Sequence, residues 1–273
     1  MIQKRTNWTV TILLILGSLV ILFPLYLTVT IAFKTPPEMA GNLLALPKSW
    51  SFDNFTRAIE MTNFFNALKN SAVVTVVVTF FTVLTNSLVA YAIARNMHKR
   101  FFKSLYYYFL SAMFIPFPII MLPLVKQTSA WGMDNLGGLI ILYIVFNLSF
   151  NIFIYIGFIR SIPLELEEAA IMDGASSWKV FWKVIFPLLA PMNATVAIIT
   201  ALGAWNDFML PLVLLSDREM ATLPLVQYVF QSQFSTDYNL AFASYLMALA
   251  PMIIVYIFAQ KWIISGVMKG SIK

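Results

Sequence analysis

The chain has 273 residues, of which 60% are hydrophobic, 15% aromatic and only 11% charged, with a formal net charge of +6. An ordinary soluble domain carries about 25% charged residues, so this sequence lacks the polar surface to be one, and its wealth of aliphatic and aromatic residues excludes disorder. With no cysteine and one histidine, His98, the chemistry of disulfides, thiolate metal sites and cysteine nucleophiles is ruled out, and the composition argues against a zinc centre or a histidine-based triad.

Charge-free intervals place the elements. Residues 6–33, 70–94, 104–125, 135–159, 184–206 and 238–260 contain no Asp, Glu, Lys or Arg. Each interval exceeds the roughly 20 residues a helix needs to cross about 30 Å of hydrocarbon. The alternation of a membrane barrel is absent, and a helix satisfies its own backbone in lipid. The expectation is an all-α membrane protein with six transmembrane helices, over about 10–33, 70–94, 104–125, 137–159, 185–214 and 240–260, in one domain covering 1–273.

The first interval follows Lys4 and Arg5, as a secretory signal would. Its apolar stretch is far longer than a signal core of about 7–15 residues, and it ends in Ala32-Phe33-Lys34 without a small-x-small cleavage site. It reads as a retained span. The stretch 34–69 that follows holds Pro36, Pro37, Pro47, Trp50 and Phe55 and is expected to be partly ordered.

Lys and Arg divide unequally between the two sets of loops. Lys4, Arg5, Arg95, Lys99, Arg100, Lys103, Arg160, Lys179, Lys183, Lys261, Lys269 and Lys273 fall on one side. Lys34, Lys48, Arg57, Lys69, Lys126 and Arg218 fall on the other. The richer side is the cytoplasmic one, which puts both termini in the cytoplasm. The net charge is thus a topology signal, and no basic stripe suggests nucleic acid. Prolines at Pro116, Pro118, Pro123, Pro187, Pro191, Pro211 and Pro251 are expected to kink or break helices.

The inner segment between the fourth and fifth spans is unlike a plain connector. Pro163 suits a first helical turn, and Glu165, Glu167 and Glu168 lie where the helix dipole favours negative charge. Asp173-Gly174 ends that helix, with Gly174 able to turn left-handed, and Ser176 or Ser177 can cap a second helix near Trp178. Leu166, Ala169, Ala170 and Asp173, at i, i+3, i+4 and i+7, give a flat face of small residues. Such a face fits docking into another protein's cleft; an amphipathic interfacial connector is the alternative.

Glu168-Ala169-Ala170, then Asp173-Gly174-Ala175, Phe181 and Pro187, resembles the EAA motif of ABC-importer permeases. The likeness continues in Trp205-Asn206-Asp207-Phe208, Pro211-Leu212, Thr222-Leu223-Pro224 and the run 265–270, and is densest from Arg160 onward. These are similar to carbohydrate-uptake permeases of the six-helix, second-subunit type of the maltose transporter. Asp207 stands where that family more often has glutamate, which keeps the charge. The resemblance implies a type I importer permease fold in a bacterial or archaeal cytoplasmic membrane. It implies a coupling segment at 161–184 in which Glu168, Ala169, Ala170, Asp173, Gly174 and Ala175 contact an ATP-hydrolysing subunit. It also implies an approach of the tail to that subunit through Gly266, Lys269 and Gly270. The implied partners are a second permease subunit, an ATP-binding dimer and an extracytoplasmic sugar-binding protein. The last would meet the stretch 216–237, with Gln231, Gln233 and Asp237 as its candidates. No GxxxxGK[ST] phosphate cradle occurs in the sequence, so ATP and Mg belong to the partner, and this chain is expected to bind no cofactor or metal.

Polar residues in the spans are candidates for a sugar path, because amide and carboxylate groups bind hydroxyls and aromatic rings stack on sugars. Asn147, Asn151, Trp205, Asn206 and Asp207 are the named candidates; Asn86, Ser87, Thr200 and Gly203 are further positions of interest. Helix–helix hydrogen bonding is the competing role for each. Uptake of glycerol phosphate or another polyol is an alternative substrate, although no Arg lies within a span. A self-sufficient secondary transporter would need membrane-buried charges and internal repeats, and a membrane enzyme clustered catalytic groups; the sequence shows neither.

Overall fold

The computed structural model describes residues 8–230 and 237–271, and every regular element among them is helical. In chain order these are α1 (Trp8–Phe33), α2 (Pro36–Gly41), α3 (Asp53–Thr62), α4 (Phe64–Arg95), α5 (Arg100–Ala112), α6 (Phe117–Ala130) and α7 (Leu136–Ile159). They continue with α8 (Glu165–Met172), α9 (Ser177–Val180), α10 (Phe186–Leu188), α11 (Ala190–Asn206), α12 (Met209–Leu214), α13 (Leu223–Gln227) and α14 (Tyr238–Ser271).

Among the described residues, α1, α4, α7 and the first 20 residues of α14 are long and apolar enough to cross a membrane alone. The intervals 104–125 and 184–206 do not form single straight rods. Instead α5 and α6 meet at 104°, and the helical run 177–188 meets α11 at 76°. The count is therefore four, or six if each bent pair is one span. The first bend has a local cause. Pro116 lacks an N–H, disfavours the helical region for Ile115 and is itself extended at ψ 132°, while Pro118 sits in the first turn of α6, where a missing N–H costs nothing. The second lies where a π-helical turn, Phe181–Ile185, runs into Pro187 and Pro191. Pro251 behaves otherwise: α14 runs through it unbroken.

The chain divides into two compact units. One takes the described residues up to Phe65 together with those from Val226 to Ile254. Here α1 is followed by Lys34, which is only 1% exposed. Its ammonium donates to the carbonyls of Asn42 (2.9 Å) and Leu43 (2.7 Å), and its own carbonyl accepts from the amides of Asn54 (2.8 Å) and Asn239 (2.6 Å). Phe33 packs against Trp50, Phe52 and Phe55. The Glu38 carboxylate accepts from the Thr35 N–H (2.8 Å), the Lys48 N–H (2.8 Å) and the Thr35 hydroxyl (2.9 Å). Those donors, the Thr35 backbone foremost, hold its pKa below the ordinary carboxylate value. The stretch after α1 is thus ordered by a buried cation, an aromatic cluster and a carboxylate clasp.

The other unit takes Asn66–Leu225 and the residues from Val255 onward. Val74 and Val78 of α4 share a core with Leu139, Leu142 and Tyr143 of α7 and Leu210 and Leu214 of α12. Farther along, Ala90 and Ile93 of α4 join Ile152, Tyr155, Ile156 and Ile159 of α7, with Val180, Phe181, Ile185 and Leu189. Lipid tails are as apolar as these side chains, so close packing and interhelical hydrogen bonds hold the helices together. One such bond runs from the Tyr155 hydroxyl to Asn193 Oδ1 at 2.8 Å. Asn135 caps α7 by accepting from the Gly138 N–H (3.0 Å). Gly138 has no room for a side chain: a Cβ there would lie 1.9 Å from the Met133 carbonyl oxygen.

Candidate functional site

Two features of the second unit carry chemistry or mechanics: the elbow between α7 and α11, and a cavity at the crook of α5 and α6. The elbow begins after Pro163. Three acids in the first turn of α8 complement the helix dipole. The helix ends at Asp173, and Gly174 turns left-handed at φ +82°. The Ala175 N–H then returns to the Ala170 carbonyl (3.0 Å), satisfying one of the terminal acceptors. Ser176 caps the next helix, its hydroxyl accepting from the Lys179 N–H at 3.4 Å.

Glu168, Ala169, Asp173 and Gly174 are exposed on this elbow. Ala170 and Ala175 are half-buried and pack inward on the core, so the small-residue face is split: part of it belongs to the chain itself. Leu166, Ile171, Met172 and Trp178 add exposed apolar surface beside it. Apolar surface of this kind outside a lipid-facing span marks an interaction site.

The sequence reading placed Glu167 with the other acids at the helix N-terminus and missed its burial. Unlike its neighbours it is buried, and both its oxygens are engaged. Arg95 Nε donates to Oε1 at 2.6 Å and the Tyr91 hydroxyl to Oε2 at 2.7 Å. Arg95 also reaches the Ile162 carbonyl (3.1 Å). The available signal was spacing: Glu167 and Ala170 share a helical face, and Tyr91 and Arg95 are four apart at the end of α4.

The cavity has a volume of about 970 Å³ and is lined by Tyr108, Phe117, Tyr143, Phe146, Asn147, Asn206 and Asp207 among others, none of them cationic. Asp207 sits where α11 breaks. One carboxylate oxygen accepts from the Tyr143 hydroxyl (2.8 Å) and the other from the Met209 N–H (3.0 Å), so it shapes the wall it belongs to. Asn206 and Asn147 each donate from the side-chain amide to a carbonyl one turn back, Leu202 and Tyr143 respectively (both 2.8 Å). Gly203 also lines the cavity.

The structure does not bring Asn151 or Trp205 to that lining. Both are buried, and neither Asn151 side-chain atom nor the Thr200 hydroxyl has a hydrogen-bond partner among the described residues. Asp237 is exposed and caps α14, accepting from the Leu240 N–H (3.3 Å). Gly266, Lys269 and Gly270 fall on the last turns of α14. Gln231 and Gln233 lie outside the described residues. A further cluster unread in the sequence pins the backbone after α12. Asn66 and Asn70 both donate to the Glu219 carbonyl (2.6 and 2.8 Å), and the Ser71 hydroxyl accepts from the Leu223 N–H (2.8 Å).

Residues 86–269 match the family described as the inner membrane component of binding-protein-dependent transport systems. The chain belongs to that family. As such a component it is a membrane protein that works with a separate solute-binding protein. It is 40% identical over 267 residues to the multiple sugar-binding transport system permease protein MsmG of Streptococcus mutans, covering 96% of this chain and 95% of that one. It is 34% identical to the probable starch degradation products transport system permease protein AmyC of Thermoanaerobacterium thermosulfurigenes, covering 98% and 97%. In fold it matches a chain of a bacterial ABC transporter involved in import of the acidic polysaccharide alginate, at TM-score 0.81 and 24% identity over 93% and 95% of the two chains. The inner membrane component therefore has an importer permease fold, and the elbow at 165–180 lies within the matched family region.

Proposed function

We propose that this inner membrane component is one of two permease subunits of an ATP-driven importer of neutral oligosaccharides. The observation that carries the reading is the exposed elbow, with Glu168, Ala169 and Asp173 presented around the left-handed Gly174, in a chain of this family. In this reading each bent helix pair is one span, giving six. Both termini and the elbow face the cytoplasm, a reading the Lys and Arg distribution supports. The elbow seats in a cleft of an ATPase dimer, which holds ATP and Mg; this subunit catalyses nothing itself. Closure of that dimer shifts the elbow, and the packed helices pass the shift to the cavity as a rigid-body movement. The residues of 266–270 approach the same dimer, and the stretch 216–237 meets the sugar-binding protein.

Sugars as substrates follow the naming of the relatives, and the cavity supports an uncharged one. Its lining includes aromatic and asparagine residues, and no lysine, arginine or histidine to pair with phosphate or uronate. The test is uptake in cells deleted for the gene and complemented with it, using radiolabelled maltotriose, raffinose and an alginate trisaccharide. Accumulation of a neutral sugar that needs both this chain and ATP is the expected result. Accumulation of the acidic sugar alone, or uptake by the purified chain without an ATPase, overturns the reading.

A further inference from the structure

Of three acids in the first turn of α8, only Glu167 is withdrawn from solvent, and it is withdrawn into a complete set of partners. Arg95 and Tyr91 stand one turn apart at the very end of α4 and take both its oxygens; the side chains of the ion pair are 14% and 9% exposed. Arg95 holds the Ile162 carbonyl as well, just beyond the end of α7. Tyr91 packs its ring on Phe181 at 5.2 Å, and Phe181, itself 1% exposed, opens the π-helical turn that leads into α11. Three side chains thus knit together the end of α4, the turn after α7, the elbow helix and the start of the bent span.

We propose that Arg95, Glu167 and Tyr91 are the joint through which displacement of the elbow is transmitted into α4 and α7. This rests on the reading of α8–α9 as the ATPase-docking elbow. The three are positioning residues: Glu167 points into the chain, away from the surface formed by Glu168, Ala169 and Asp173, so none of the three is offered to a docking partner. Apolar surfaces can slide past one another, whereas short charge-assisted hydrogen bonds fix separation and direction, so α8 and α4 move together. The buried setting also gives the pair a discrete arrangement rather than a loose range of them. Transmission over distance uses elements of this kind.

The test uses the whole importer, co-purified through a tag on this chain and reconstituted in proteoliposomes with its binding protein. Two quantities are read: ATP hydrolysed, and the uptake of whichever of labelled maltotriose or raffinose the unaltered complex accumulates. Arg95→Gln and Glu167→Gln should keep the ATPase bound and hydrolysing while raising the ATP consumed per sugar about ten-fold, within the range of site-to-site coupling factors. Tyr91→Phe, which leaves the ion pair, should raise it less. Because lone buried charges can unfold a chain, Arg95→Met with Glu167→Leu serves as the second variant; apolar pairs often replace buried ion pairs without loss of stability. It should restore membrane abundance and thermal stability but not the ratio.

Recovery of uptake in step with abundance in that double variant means the pair is only structural, and overturns the proposal. So does an unchanged ratio in the single variants. Failure of the docking reading shows up separately: the single variants of Glu168 and Gly174 would then leave ATPase binding and uptake intact.

Discussion

Gly174 offers the most direct test of the elbow. Its φ of +82° lies in the left-handed region, and a built Cβ meets no atom within 4 Å. In the chain itself a larger residue therefore suffers no clash, and its whole penalty is the backbone conformation. An L-residue held there pays roughly 1–2 kcal/mol, and Asn, which visits this region several-fold more often than most, pays less. A penalty of that size lowers the ratio of formed to unformed turn by a factor of about 5–30. Uptake per unit of membrane-resident protein should fall in Gly174→Ala, by at most that factor, further in Gly174→Val because a β-branched residue fits the region worst, and least in Gly174→Asn. The assay is initial uptake of labelled maltotriose or raffinose, normalised to immunoblotted membrane protein. A ranking by side-chain volume instead, with Asn worse than Ala, would refute the backbone argument and point to a tight cleft around the turn. A silent Gly174→Ala would refute the need for the turn altogether.

Glu168→Ala should abolish uptake while abundance and melting temperature stay unchanged, since the side chain is exposed; a shift in melting with intact uptake sinks its docking role. Lys34→Met removes two charge-assisted bonds and strands the Asn42 and Leu43 carbonyls, costing about 2–4 kcal/mol. It should expose residues 34–62 to limited proteolysis, and protection equal to the unaltered chain counts against a structural role for the ammonium. Glu38 has a folded pKa below its unfolded one, so its contribution is present above the unfolded value and is lost as the pH falls through the folded one. Proteolysis of the same segment should accelerate on acidification through that window, and Glu38→Gln should be susceptible already at neutral pH; pH-independent cleavage of the unaltered segment argues against the clasp.

Charge-free runs were enough to find the apolar helices, because excluding ionisable groups over 20 or more residues is a constraint few other structures impose. They could not show where a run bends. Pro116 stands at the bend between α5 and α6, extended and capping the second helix, while Pro251 sits inside a continuous helix, where the groups freed by a single proline can be satisfied by neighbouring structure. Local signals read well at the elbow. Ser176 and Gly174 do what short-range chemistry asks of them. The three acids of α8 look alike in sequence, and only the approach of Arg95, 72 residues upstream, decides that Glu167 turns inward. Asp207 was legible as a costly group and not as a strut. Its partner Tyr143 is an ordinary aromatic in an aromatic-rich span, and the break that presents the Met209 N–H has no strong local marker.

The first helix illustrates a different kind of constraint. From Trp8 to Leu25 its side chains are almost all exposed within the chain, so nothing here dictates their shapes; greasiness alone is required of them. Swapping Leu for Ile or Val along that stretch ought to be silent wherever it meets only acyl chains. Positions that object would trace the outline of whatever protein surface lies alongside, which makes a saturation scan of this one rod a map of assembly.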